Sequence, residues 1–367
     1  MKKVKIGFIG CGNISGIYLQ NSHTFDILEP VACADMILER AQAQAEKYHI
    51  PRVYTVEQML ADPEIEIIVN LTIPNAHYSV AMAALQAGKS VYNEKPLAIQ
   101  TAEAREMLAL AAQKGLRVGC APDTFMGAGI QTCIKLIEDG VIGDPVAATA
   151  FMMCHGHESW HPDPEFYYKV GGGPMFDMGP YYVTALVSML GPVKRVSGSA
   201  QVTFPTRTIT SQPKNGTVIT VDTPTHLSAT LDFASGAVGT IVTSFDVWAH
   251  HLPCIEVHGS LGSISVPDPN GFGGKVEVWT TAARKWEDVP LVPIRAENSR
   301  CIGVADMAYG LRSGRPHRAN GEMAAHVLDV FHAVLDSSSA SQYVTLSSTC
   351  SRPKAMPLGL PTALLDE

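Results

Sequence analysis

The stretch Val4-Lys5-Ile6-Gly7-Phe8-Ile9-Gly10-Cys11-Gly12-Asn13-Ile14-Ser15-Gly16 decides how the chain begins. An apolar run that stops at glycines predicts a buried strand over residues 4–9, because a strand covered on both faces is apolar throughout. Gly10-x-Gly12 permits a tight turn and lets the backbone approach a phosphate with no Cβ in the way. A helix predicted over residues 14–20 turns its free N–H groups and positive dipole end toward such an anion. The third glycine of the usual pattern would fall at 15; Ser15 stands there and Gly16 follows, and a small residue is enough for helix–strand packing. The expected ligand is a dinucleotide held at Gly10, Gly12, Asn13 and Ile14. A glycine-rich turn without a ligand is the plain alternative.

Outward from this turn, strands predicted over residues 30–34, 66–71, 90–92 and 116–119 alternate with helices over 37–48, 76–87 and 101–114. Gly88 stops the second of these helices and Thr101 is a plausible N-cap of the third. Such alternation means parallel β-α-β units. Asp35 ends the second strand 23 residues past Gly12 (35 − 12). An acid there accepts from adenosine ribose hydroxyls and repels a 2′-phosphate, which favours NAD over NADP. Arg40, one helical turn on, softens that preference. The plain alternative for Asp35 is a cap of the following helix, and both roles could coexist.

The rhythm changes after residue 120. Helices are predicted over 127–139 and 174–190, the latter stopped by Gly191-Pro192, with a strand over 146–153. Strand then follows strand over 196–204, 217–221, 225–233, 237–245, 255–258, 263–266 and 276–279, with Ser235-Gly236 as a hairpin turn. Helices over 302–311 and 321–335 close the pattern, and the Ser- and Pro-rich stretch after Ser337 reads as irregular. The expected division is 1–122 for the dinucleotide, 123–345 for an α+β domain with an open, largely antiparallel sheet, and 346–367 as an irregular tail.

The 367 residues suit two domains, and 46% apolar with 17% charged residues suits a globular chain. A formal net charge of −8 argues against nucleic acid or an anionic membrane as partner. Eight scattered cysteines with no Cys-x-x-Cys pair read as free thiols in a reducing compartment, so a cytoplasmic location is expected. Met1-Lys2-Lys3 and the apolar run after it faintly resemble a leader, but Gly7, Gly10 and Gly12 break the run. No apolar run is long enough to span a membrane.

Two further motifs carry chemistry. In Glu94-Lys95-Pro96 the proline biases Lys95 toward extended backbone, which can project it into a cleft. A lysine beside a positive nicotinamide ring would lose proton affinity, as acid–base work near neutral pH requires. Alone, the motif reads more simply as a surface lysine. The second motif is Gly171-Gly172-Gly173-Pro174-Met175-Phe176-Asp177-Met178-Gly179-Pro180-Tyr181-Tyr182. Asp177 and Tyr181 are four apart and share a helical face, a plausible substrate wall. The bland reading is a helix-start acid and a core tyrosine.

Taken together, these motifs resemble the Gfo/Idh/MocA-type oxidoreductases, the glucose–fructose oxidoreductase and inositol dehydrogenase family. The likeness spans nearly the whole chain and rests on the glycine turn, Asp35, Thr72-Ile73-Pro74-Asn75-x-His77, Glu94-Lys95-Pro96 and the Gly171–Gly179 motif. It implies a Rossmann domain plus an open-sheet domain, a tightly held nicotinamide, and a sugar, polyol or sugar-derivative substrate. It implies Thr72, Pro74, Asn75, His77 and Glu94 beside the cofactor, Lys95 as catalytic lysine and Asp177 as substrate-orienting acid. Many members have histidine where Tyr181 stands, whereas the glucose–fructose oxidoreductase and dihydrodiol dehydrogenase branches have tyrosine. Lys95 and Tyr181 therefore both compete for the proton-transfer role. A tyrosine of ordinary pKa, about 10, needs a positive neighbourhood to act as base.

Cys154-His155-Gly156-His157-Glu158-Ser159-Trp160-His161 invites a zinc reading, but the spacing is not a standard ligand set, and no metal is expected. The resemblance puts this loop beside the substrate. His155, His157 and His161 then recognise hydroxyls and Trp160 stacks on a sugar face. Asp123 is expected to face the cleft, and His250 or His251 less securely so. Arg312, Arg315 and Arg318 read as a solvated turn or a subunit contact.

The expected function is NAD(P)-dependent transfer of hydride between a nicotinamide and a secondary alcohol or hemiacetal carbon. The rivals are an NAD-dependent glycosidase that uses transient oxidation, and a non-catalytic sugar or nucleotide sensor. The open sheet face needs cover, so a homodimer or homotetramer built on it is expected.

Overall fold

The computed structural model describes residues 1–361, 364 and 365. Its first part runs β1 (Val4–Ile9), α1 (Ser15–Ser22), β2 (Leu28–Ala34), α2 (Leu38–Tyr48), β3 (Arg52–Tyr54), α3 (Val56–Ala61), β4 (Ile67–Asn70), α4 (Pro74–Gln86), β5 (Ser90–Asn93), α5 (Thr101–Lys114) and β6 (Val118–Cys120). The six strands are parallel in the order β3-β2-β1-β4-β5-β6. That order reverses between β1 and β4, and the crevice at their carboxyl ends is where such sheets bind dinucleotides. The strand β3 and helix α3 were not legible in the sequence: β3 has three half-buried residues, and α3 is six residues closed by a Thr55–Gln58 capping box. Thr101 is not the cap of α5 but its first residue; Glu103 accepts the Gln100 N–H at 3.0 Å and the Ile99 N–H at 3.2 Å.

The second part begins with a 3-10 turn (Thr124–Met126), α6 (Ala128–Glu138), β7 (Pro145–Met153), a second 3-10 turn (Glu165–Tyr168), α7 (Gly173–Asp177) and α8 (Gly179–Leu190). Then come β8 (Val193–Gln201), β9 (Thr206–Thr208), β10 (Val218–Thr220), β11 (His226–Phe233), β12 (Val238–Ser244), β13 (Ile255–Gly259), β14 (Gly262–Val266), β15 (Val276–Thr280) and β16 (Trp286–Val289). It ends with α9 (Ile302–Ser313), α10 (Gly321–Ala340) and β17 (Val344–Thr345). Nine strands form one sheet, β16-β15-β14-β13-β7-β12-β11-β8-β17, antiparallel except for the β7–β12 pair. Period-2 burial on β11 and β12 marks one face packed and one half-exposed. Helices α6, α7, α8 and α10 pack against this sheet.

Several expectations are corrected here. The helix read over 174–190 breaks at Met178 into α7 and α8. The strand read over 217–221 leaves the large sheet and pairs with β9 as a separate ribbon. The chain after Ser337 is not irregular at once: α10 runs to Ala340, and β17 adds to the sheet edge beside β8. Residues 362, 363, 366 and 367 of the expected tail lie outside the described residues. The arginine cluster is not a solvated turn. Arg312 grips both Glu66 oxygens at 2.8 and 2.6 Å, which ties α9 to the first sheet. Arg315 and Arg318 converge at 2.7 and 2.5 Å on the buried Asp306. Among the described residues, no helix is long and apolar enough to cross a membrane.

Candidate active site

Three loops meet at the carboxyl end of the first sheet. Gly10 has φ +98°, and a Cβ there would sit 2.6 Å from the Leu71 carbonyl carbon. Glycine is thus what lets the β1–α1 turn touch the β4–α4 turn. Gly12 differs: a Cβ there would meet nothing within 4 Å, so its open side is free for a ligand. Helix α1 begins with no side-chain cap and no acid in its first turn, leaving its orphan N–H groups for an anion. Ser15 turns its hydroxyl back to the Gly12 carbonyl at 2.6 Å. Asp35 accepts the Cys11 N–H at 2.7 Å and the Ile37 N–H at 2.8 Å. It braces the glycine turn, and the helix cap falls at Ile37 instead. Arg40 is exposed on α2. These features fit a dinucleotide.

The neighbouring loops are held by buried amides. Asn70 donates to the Asn93 side chain at 3.0 Å and accepts from the Thr72 hydroxyl at 2.7 Å. His77 is fully buried, with its ring nitrogens 2.6 Å from the Pro96 carbonyl and 3.0 Å from the Thr72 carbonyl. It spaces the two loops rather than lining an open pocket. Burial pushes its pKa down, against those carbonyls and Glu94. Pro74 is the first residue of α4 and Asn75 is exposed beside it. Glu94 accepts from the Tyr18 hydroxyl at 2.8 Å and from the Lys95 N–H at 2.9 Å, which fixes the lysine backbone.

Lys95 reaches across to the second domain. Its Nζ donates to Asp177 Oδ1 and to the Asp177 carbonyl, each at 2.8 Å, and lies 5.3 Å from the Tyr181 ring centroid. The break at Met178 does not separate Asp177 from Tyr181; the two converge on the same ammonium. Burial works against the charge on Lys95, but Asp177, then Tyr181 and Glu94, more than offset it, and its pKa is pushed up. The carboxylate that faces the ammonium favours its charged form. Burial likewise opposes the Asp177 charge, and Lys95 and His157 hold its pKa down at about 2. Burial raises Tyr181, opposed by Lys95 and by Arg300.

His157 Nε2 lies 3.1 Å from Asp177 Oδ2. An ionised carboxylate can only accept, so this nitrogen carries the proton. The other ring nitrogen, Nδ1, is buried without a partner. His157 is enclosed by Tyr167 at 4.3 Å, Phe245 at 4.7 Å and Trp160 at 5.1 Å between ring centroids. Trp160 is 61% exposed at the rim, and His161 packs on Phe166 and Tyr167. His155 stacks on Trp248. Asp123 does not face the cleft. It is 1% exposed and accepts the Cys301 and Gly303 N–H groups at 3.0 Å, anchoring the start of α9. Burial raises its pKa to about 6. His250 and His251 are exposed.

Sequence reading missed Arg300 and Tyr167. Arg300 neighbours Tyr181 and is held by Asn298 at 2.9 Å and Asn270 at 2.7 Å. No motif marks it. Tyr167 belongs to the run Phe166-Tyr167-Tyr168 just before three glycines, a signal that was available.

Fold and site together define a dinucleotide-binding oxidoreductase. The model of the oxidoreductase family with NAD-binding Rossmann fold matches residues 4–121, and that of the GFO/IDH/MocA C-terminal domain matches residues 130–265. Together they span more than half of the chain, which belongs to the Gfo/Idh/MocA oxidoreductases. It is 31% identical over 165 residues to trans-1,2-dihydrobenzene-1,2-diol dehydrogenase of Mus musculus, 45% of this chain and 49% of the mouse protein. The match thus spans about half of that relative. It is 28% identical over 247 residues to D-glucoside 3-dehydrogenase of Escherichia coli, 66% of this chain and 70% of that one. An NAD binding oxidoreductase from Klebsiella pneumoniae shares the fold with a TM-score of 0.83 at 22% identity, over 94% of this chain and 100% of that one.

Proposed function

We infer that the protein is an NAD(P)-dependent dehydrogenase that oxidises a secondary alcohol or hemiacetal carbon of a sugar, polyol or sugar derivative, or runs the reverse. One observation carries this reading: an ammonium from the first domain and a carboxylate and a phenol from the second converge beside the dinucleotide crevice. A nicotinamide bound there supplies the hydride acceptor. Asp177, with His157 held against its other oxygen, orients substrate hydroxyls. Tyr181 is the group that exchanges the proton, because Asp177 locks Lys95 as a cation. Lys95 and Arg300 stabilise the phenolate that forms. Asp35 disfavours a 2′-phosphate, so NAD is the preferred cofactor.

We further assign residues 1–122 to the cofactor, 123–345 to substrate and assembly, and 346–367 to a tail. A homodimer or homotetramer through the half-exposed face of the large sheet fits the exposed Val238 and Trp286 on its strands. Eight free thiols suit a reducing compartment such as the cytoplasm. Sugars and polyols supplied with NAD⁺, read at the nicotinamide absorbance, test the reading. Accumulating NADH supports it; saccharide binding with no turnover of any compound overturns it.

A further inference from the structure

One helix of the first domain grips both loops that bring a cation to the Tyr181 phenol. Tyr18 and Asn21 stand three apart on α1 and so share a face. Tyr18 is fully buried; its hydroxyl donates to Glu94 at 2.8 Å, and Glu94 in turn fixes the Lys95 backbone. Asn21 is buried too and grips the other loop. Its side-chain amide donates to the Asn298 carbonyl at 2.8 Å and to the Arg300 carbonyl at 3.0 Å. The same loop is clasped again just past α1, where Arg295 donates to the Thr24 hydroxyl at 3.1 Å and to the Thr24 carbonyl at 3.0 Å.

The Asn21 amide lands on the two residues that aim the guanidinium. Arg300 donates from one terminal nitrogen to Asn298 Oδ1 at 2.9 Å and from the other to Asn270 Oδ1 at 2.7 Å. Both acceptors are neutral, so no ion pair at these atoms offsets the positive charge. On the far side Asp123 accepts the Cys301 and Gly303 N–H groups at 3.0 Å, which pins the chain just after the arginine. An arginine side chain is long and rich in rotamers, so its head goes where its backbone and its acceptors direct it. A simple staple between domains could engage any stretch of this loop; Asn21 engages the carbonyls of the arginine and of its acceptor residue. The charged and titratable groups that face the Tyr181 phenol are Lys95 and Glu94 from the loop after β5, Arg300 from the loop before α9, and Tyr167 from the second 3-10 turn. Asp123 and Tyr18 face Arg300 in addition to Tyr181.

We propose that Asn21 is a positioning residue: by fixing the Asn298 and Arg300 carbonyls it holds the Arg300 guanidinium beside the Tyr181 hydroxyl and so favours the phenolate. The proposal rests on the reading above, in which Tyr181 exchanges the proton, and names the residue that sets the cation beside it. Asn21 sits on the helix whose first turn faces the dinucleotide, so the cofactor site and the proton-exchanging phenol share one brace.

The test uses the full-length protein made with fluorotyrosine, whose phenol ionises closer to neutrality, and follows the fluorine resonance of residue 181 against pH. That resonance is the one missing from Tyr181→Phe. The native sequence, Asn21→Leu, Arg300→Met and the double variant are titrated side by side. The midpoint should rise by about half a pH unit or more in Asn21→Leu and by about one unit or more in Arg300→Met. The double variant should match Arg300→Met, because Asn21 acts only through the arginine. An unmoved midpoint in Asn21→Leu overturns the proposal, even if that variant is less stable. A double variant shifted well beyond Arg300→Met overturns it too, since Asn21 then acts by another route. If Asn21→Leu does not fold, Asn21→Ser, which also removes the amide, is read in the same way. The midpoint needs no substrate, so it is independent of turnover. A midpoint that moves as expected while no saccharide is oxidised refutes the dehydrogenase reading alone; saccharide oxidation with the midpoint unmoved refutes the role of Asn21 alone.

Discussion

The Lys95 ammonium is bound twice by one residue, 2.8 Å from the Asp177 carboxylate and 2.8 Å from the Asp177 carbonyl. The lysine comes from the loop after β5 and the aspartate from the end of α7, so the bond stitches the two domains together. Removing one partner of a buried pair leaves the other charge unpaired, at a cost of about 3–5 kcal/mol. Lys95→Met is expected to lower the unfolding midpoint and to reduce turnover about 10²- to 10⁴-fold. NADH binding by fluorescence should persist, because the glycine turn is untouched.

Tyr181 ionises above neutral pH, since burial raises its pKa and Lys95 and Arg300 only partly counter that. The oxidation rate should therefore climb with pH on the alkaline side of neutrality, and the reduction rate should fall over the same range. Arg300→Met removes a cation that favours the phenolate, so the limb moves to higher pH. Tyr181→Phe abolishes the limb and most of the turnover. The pH profile of kcat/KM for the three proteins checks this.

The two glycines of the turn should fail differently. Gly10→Ala forces a Cβ onto the Leu71 carbonyl at a positive φ, so it should destabilise the fold. Gly12→Ala meets no protein atom and should leave the melting temperature within about 1 kcal/mol equivalent. It should nevertheless weaken dinucleotide binding tenfold or more. Thermal melts and NADH titrations of both variants read this out.

Asp35→Ser removes a carboxylate from the ribose side of the crevice while keeping a group that can accept the Cys11 N–H. The ratio of kcat/KM for NADP⁺ to that for NAD⁺ should rise at least tenfold, and an unchanged ratio would show that Asp35 only braces the turn.

Asp123 gives a pH signature in stability. Its pKa is raised by burial from 3.8 to about 6 in the fold. A raised folded value means stability that is present below about pH 4 and lost as pH rises through 6. At about 1.4 kcal/mol per pKa unit the loss approaches 3 kcal/mol. Relative to Asp123→Asn, the native protein should lose urea stability between pH 4.5 and 7.

The alternation of apolar runs with helices made the first sheet legible, and Gly10, Asp35, Lys95, Asp177 and Tyr181 stood out because each type has a chemical reason for its place. Legibility ended where tertiary contact decides. Nothing local told that Asp123 would turn inward to anchor α9, or that Arg312 would cross to Glu66. His155 and His157 look equivalent in sequence, yet opposite neighbours claim them. Arg300 carries no motif because its position depends on Asn270 and Asn298 folding around it. The Lys95–Asp177 ion pair was not read from the sequence, because that partner lies 82 residues away.

The central claim is that a saccharide carbon gives hydride to a nicotinamide beside Tyr181. The most direct measurement is NADH formation with NAD⁺ and a panel of saccharides, for native protein and Tyr181→Phe at matched NADH occupancy. Accumulation in the native protein that collapses in Tyr181→Phe while NADH still binds is the predicted outcome. Glycoside cleavage with no NADH, or equal NADH from both proteins, contradicts it.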